Sequence, residues 1–352
     1  MGCDDLGATT VARFARNGTP PVEHSPVRRS PVVAPAPVPF LARRATSAGP
    51  PTPGWVVALL QGAMLILLIG CSPAAIDRNV AGAPTHPPKT RTDAGGRIIE
   101  ADYRNVPPPL DLDILADGDR LKALRFGGDS EPISDDPLGG LSKMTSLKVL
   151  AVDRQNVTAA VLDSLPRPDR LVEFLAARTP IDDSIATRLP RLTGLRKLRL
   201  SGTDVGPETC DAIGGLTSLA ELDLSGCPNL TDDAVAKLTA LPKLKKLNLY
   251  DTPIGDAAAE SVAGLPSLRW LNVDKTNITD VGVESLAKLD ALTFLHLGST
   301  PISDDAADPL SKMTSLEKLI VTRTEMTEEA AERIREALPA AEVQSVYEPT
   351  AD

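Results

Sequence analysis

Leucines recur along the chain at nearly constant intervals. Leu121, Leu147, Leu171, Leu195, Leu219, Leu244, Leu268, Leu292 and Leu316 each open a segment of 24 to 26 residues. Within a segment, as in "LRKLRLSGT" or "LRWLNVDKT", apolar and polar residues alternate around the second and third apolar positions. That is the period-two pattern of a strand with one buried face. The ninth place holds Thr179, Thr203, Thr252, Thr276, Thr300 and Thr324, with Gln155 and Cys227 as variants. An apolar residue follows two places on (Val205, Ile254, Ile278, Ile302), and after it come a hydroxyl and acids, as in Thr231-Asp232-Asp233 and Ser303-Asp304-Asp305. A hydroxyl accepts from the first free N–H groups of a helix and acids complement its positive end, so this cluster predicts a helix start. Apolar spacing at Val283, Leu286 and Leu289 then predicts the helix face packed on the strands. Each segment reads strand, turn, helix, turn. One segment cannot bury its own leucines, so stacking must complete the core. At the two ends, Leu110–Leu115 and Ala341–Val346 are expected as capping strands.

The nine segments, residues 121–339, resemble the leucine-rich repeat family, in its 24-residue bacterial form near the cysteine-containing and ribonuclease-inhibitor-like types. The resemblance implies an α/β leucine-rich-repeat solenoid, curved, with parallel strands on the concave face and helices on the convex face. The domain is expected over residues 109–348. It also implies that the ninth position bonds backbone of the neighbouring coil, usually through Asn or Cys. The threonines depart from that pattern.

Before the repeats the chain changes character. Residues 1–54 hold 10 prolines and six arginines without periodicity, which predicts a disordered extension. Trp55–Ile69 is an uncharged apolar run of 15 residues, shorter than the roughly 20 needed to span hydrocarbon. With Arg43 and Arg44 upstream and Leu68-Ile69-Gly70-Cys71 at its end, segment 55–71 resembles a bacterial lipoprotein signal. That resemblance implies lipid attachment at Cys71 and a place in the bacterial cell envelope, at the outer membrane or cell surface. Signal peptides usually run about 15–30 residues, and the long extension departs from that. Residues 72–108, rich in Pro, Gly and Thr, read as a flexible tether.

Composition narrows the function. A formal charge of −10 argues against nucleic acid, whose binders rest on Lys and Arg. It also predicts repulsion from an anionic envelope surface, so that a lipid and not a basic patch has to anchor the chain. Of four cysteines, Cys210 falls in a buried apolar slot and Cys227 in the threonine row, which predicts two reduced core thiols. No cofactor and no metal site are expected; the recurring acids stand in helix first turns and do not converge as calcium ligands must.

Strand positions three, five and seven face away from the core. In three successive segments they carry Asn248 and Tyr250, then Trp270, Asn272 and Asp274, then Phe294 and His296. Aromatics among Asn, Asp and His are the composition of interface hot spots, which predicts a partner-binding patch for an unidentified protein on a monomeric module. The rival reading is an envelope spacer whose concave face has no ligand. A hydrolase using His296 with Asp274 is a third reading, but no nucleophile is placed beside the pair.

Overall fold

The computed structural model describes residues 86–107, 110–115, 118–128 and 132–346. The predicted extension, the apolar run and Cys71 lie outside the described residues. One sheet of twelve strands carries the fold, in chain order from edge to edge. Strands β1 (Lys89–Thr92) and β2 (Ile98–Asp102) pair antiparallel. From β2 onward every pair is parallel: β3 (Ala123–Phe126), β4 (Val149–Val152), β5 (Glu173–Leu175), β6 (Lys197–Arg199), β7 (Glu221–Asp223), β8 (Lys246–Asn248), β9 (Trp270–Asn272), β10 (Phe294–His296), β11 (Lys318–Ile320) and β12 (Glu342–Gln344).

The register keeps equivalent positions side by side, so Leu198, Leu222, Leu247, Leu271, Leu295 and Leu319 form one buried row. A single continuous core runs the length of the solenoid. On its convex side the early coils are short 3-10 turns, at Asp136–Lys143, Ala159–Ser164 and Asp183–Thr187. From Pro207–Gly214 onward they are mostly α-helical, at Asp256–Val262, Asp280–Leu286 and Glu328–Ala337 among others.

Two expectations fail at the N-terminal end. The tether does not extend to residue 108, because β1 and β2 continue the sheet. Gly96 turns the hairpin at φ 76°, and the Asp93 carboxylate accepts from Gly95 N at 2.8 Å and Arg97 N at 3.0 Å. A tight turn and a tether share Gly-rich composition, and that hid the hairpin. Tyr103 then caps the core, stacked on Phe126 with centroids 4.8 Å apart, its hydroxyl donating to the Asp111 carbonyl. Leu110–Leu115 is not a strand: Leu110 bridges His86, and Asp113–Leu115 is a 3-10 turn. The closing strand does form, as β12.

Two polar rows run along the coils. The ninth-position threonines are buried, apart from the half-buried Thr324, and each donates within its own coil, as Thr276 Oγ1 does to Val273 O at 2.7 Å. The two variants follow the family habit: Cys227 reaches Leu200 O of the preceding coil at 3.2 Å, and Gln155 Oε1 accepts from Ile133 N of the preceding coil at 3.0 Å. The predicted hydroxyl caps are present, for instance Thr231 accepting from Ala234 N at 3.2 Å. The acid that follows a cap does something further. Asp256 accepts from the next coil at Thr279 N (2.8 Å), Gly282 N (3.0 Å) and Thr279 Oγ1 (2.7 Å). Asp280 clasps Ser303 and Asp304 clasps Thr327 in the same way. These carboxylate oxygens are already committed to protein donors. Between strand and helix, position eight takes the left-handed conformation in every coil from Arg154 to Arg323, mostly without glycine, as at Arg178 (φ 55°) and Lys275 (φ 57°).

Candidate functional site on the concave face

Short strands hold the middle side chain inward and present its two neighbours outward, so β9 exposes Trp270 and Asn272 while Leu271 is buried. Direct pairing of Phe294 with Trp270 brings their rings into a stack, centroids 4.8 Å apart and planes 8° from parallel. On the opposite side of Trp270, the Lys246 ammonium lies 4.2 Å from the ring centroid. Both faces of the indole are therefore occupied, and Trp270 offers a partner its edge. Phe294 and Trp270 are each half-buried.

The remaining predicted residues divide. Asp274 and His296 come together, Oδ2 to Nε2 at 3.7 Å, too long for a direct hydrogen bond. Asp274 Oδ1 is buried without a hydrogen-bond partner. Burial holds the His296 imidazole below its usual range; Asp274 pulls the other way and Lys318 adds to the depression. Gly298 leaves room for this ring, since a Cβ there would stand 2.9 Å from His296 Nε2. Among the described residues no side chain hydrogen-bonds the imidazole. Asn272 turns its carbonyl oxygen to the backbone, accepting from Asp274 N at 3.0 Å. Tyr250 stands apart from the stack, with Lys275 Nζ 5.2 Å from its ring.

Beside the stack lies a hollow of about 150 Å³, lined by Lys197, Arg199, Glu221, Asp223, Lys246, Asn248 and Trp270. Apart from Asn248 and Trp270 these residues were not among the predicted site. The signal was available as the alternation of sign at position three in successive units. Lys197 pairs Glu221 at 2.9 Å, and farther along Lys318 pairs Glu342 at 2.7 Å. Arg199 reaches back two coils to Asp153. Asp223 Oδ1 accepts from Ser225 N and Oγ. Cys210 and Cys227 are free and buried, and burial pushes the Cys210 thiol up to about 12.

Comparison with known proteins agrees with this geometry. A family model described as a leucine rich repeat matches residues 242–302, and a second with the same description matches 215–238. A search of curated proteins finds no match. Among solved structures, the chain is similar to the ectodomain of the Arabidopsis receptor kinase HAESA in complex with a peptide hormone, at 19% identity and TM-score 0.51. That match covers 67% of this chain and 40% of the receptor chain. An internalin from Listeria monocytogenes is similar over 72% of this chain and 83% of its own, at 19% identity and TM-score 0.48. A second, internalin C2, is similar over 61% and 84%, at 24% identity and TM-score 0.47. The repeat unit, the parallel sheet of consecutive strands and the family-model matches agree: the chain carries leucine-rich repeats and folds as a leucine-rich-repeat solenoid.

Proposed function

We propose that the protein is a membrane-anchored recognition module that binds a protein partner through the C-terminal half of its concave face. Leucine-rich-repeat proteins generally mediate protein–protein interaction, and stacked repeats create the extended surfaces that such binding uses. The observation that carries the reading is the position of Trp270, the wall shared by the hollow and the aromatic stack. Lys246 and Phe294 hold the indole rigidly, so a partner contacting its edge pays little side-chain entropy. Anchoring through Cys71, at the bacterial envelope, completes the proposal and rests on the sequence alone. Among the described residues no helix is long and apolar enough to cross a membrane.

A second reading, the envelope spacer, draws on the same stack: an indole covered on both faces serves sheet cohesion without any ligand. Crosslinking from native membranes with the wild type and a Trp270→Ala, Phe294→Ala double variant separates the two. A partner captured by the first and lost by the second, with both folded by circular dichroism, supports recognition. Equal capture supports the spacer.

A further inference from the structure

The two rims of the coils differ in charge: one mixes acids with the exposed Arg154, Arg178, Lys275 and Arg323 of position eight, and the other is mainly cationic. Acids collect where strands hand over to helices, as in the clasp row of Asp183, Asp232, Asp256, Asp280 and Asp304. The other rim, where each turn feeds the next strand, is cationic. Its backbone is a continuous ladder: Lys148 N donates to Lys122 O, Arg196 N to Val172 O, Lys245 N to Ala220 O and Arg269 N to Lys245 O, each at 2.8–2.9 Å. Lys122, Lys148, Arg196, Lys245 and Arg269 therefore stand in one line about 30 Å long, at roughly 4.8 Å per coil. All five are exposed, and among the described residues none forms an ion pair; Arg269 Nη1 donates to Ala291 O at 3.3 Å. The turns behind them add exposed Arg170, Lys243, Lys288 and Lys312, also unpaired. The acids on this rim are Asp119, Asp290, the terminal Glu317, and Asp169, which Arg167 neutralises at 3.0 Å.

We propose that this cationic rim seats the solenoid on an anionic phospholipid bilayer, with the acidic rim turned to solvent. The strand is extended over positions three to five only, and the clasp acids at position thirteen lie beyond it and beyond the left-handed turn, on the far side of the coil from the cationic rim. Small residues between the cations, Val172 and Ala220 among them, leave an even row of long mobile side chains. Such a row suits fluid headgroups, whereas a protein partner needs shaped pockets. The inference rests on the membrane association proposed above. Cys71 stands 15 residues before His86, an interval reaching at most about 50 Å.

The test uses the full chain with vesicles of phosphatidylcholine alone or mixed with phosphatidylglycerol. Lysine acetylation is read by mass spectrometry, beside flotation as the measure of vesicle binding. Each cation near an anionic surface strengthens association about fivefold. Lys148 and Lys245 are expected to be protected at least fivefold on the mixed vesicles, while Lys275 on the opposite rim is unchanged. Raised salt and a Lys122→Glu, Arg196→Glu, Arg269→Glu variant should each remove the protection. Flotation on both vesicles without rim protection, or equal protection on both, overturns the inference and leaves the anchor standing. Flotation only on the anionic vesicles, lost in the variant, supports the rim and overturns the anchor. Absence of flotation overturns both. Protection that needs no vesicles and rises with protein concentration assigns the rim to a second copy's acidic rim and overturns the lipid.

Discussion

Asp256→Ala tests whether the acids after each cap serve their own helix or the next coil. The carboxylate accepts three hydrogen bonds from residues 23 and 26 positions ahead, and one donor, Gly282 N, is buried. A hydrogen bond to a charged group contributes about 1.5–3 kcal/mol net, and the three share one side chain, so they do not add. Water can reach Thr279 after truncation but not Gly282, which makes the expected loss about 2–4 kcal/mol. Asp256→Asn keeps an oxygen toward the two N–H groups, and the Thr279 hydroxyl can turn to accept from the amide, so about 1 kcal/mol is expected. Asp305→Ala is the contrast. Asp305 belongs to the same kind of acid pair but is exposed and has no contact across coils, so about 0.5 kcal/mol or less is expected. Urea unfolding followed by circular dichroism measures the three, and amide exchange at Gly282 locates the opening. The reasoning is refuted if Asp256→Ala is within about 0.5 kcal/mol of wild type, or if Asp305→Ala is equally damaging.

Arg178→Gly is expected to stabilise the fold by up to about 1 kcal/mol in the same urea assay, because Arg178 holds φ 55° where a Cβ is strained and glycine is not. The His296 ring, followed by NMR, is expected to titrate below pH 6.5, lower still in Asp274→Asn and higher in Lys318→Ala, since burial and Lys318 oppose its charge and Asp274 favours it. The unfolded chain binds that proton more readily, so this group's stabilisation is present above pH 6.5 and lost as pH falls through the lowered folded value. A midpoint at or above 6.5 would contradict the burial argument.

The repeat was legible because its signal is local and nine times repeated. The buried leucine row, the hydroxyl caps at Thr231 and Ser303 and the closing strand β12 all stand where periodicity puts them. The N-terminal hairpin was not, since the two glycines of its turn carry the composition of a linker. The early 3-10 turns were missed for a related reason: apolar spacing reports which face is buried, not how tightly the backbone winds. Of the candidate site, the Trp270–Phe294 contact and the His296–Asp274 pair follow from strand register. The hollow around Arg199 and Asp223 does not stand out in any one segment, because charges at position three look like ordinary solvated residues until three strands are set side by side.

Net charge does not report how charges are placed: in a chain of −10, Lys148 and Lys245 share a rim with few acids. The amino-acid sequence by itself determined the solenoid, because a coil's strand, cap and buried face depend on residues within one 24-residue unit. Only the tertiary structure decided what each surface still offers. Whether Trp270 has a free face, whether Asp256 is open to an ion, and which charges lie together are settled between residues 24 apart in the chain and one strand spacing apart in space.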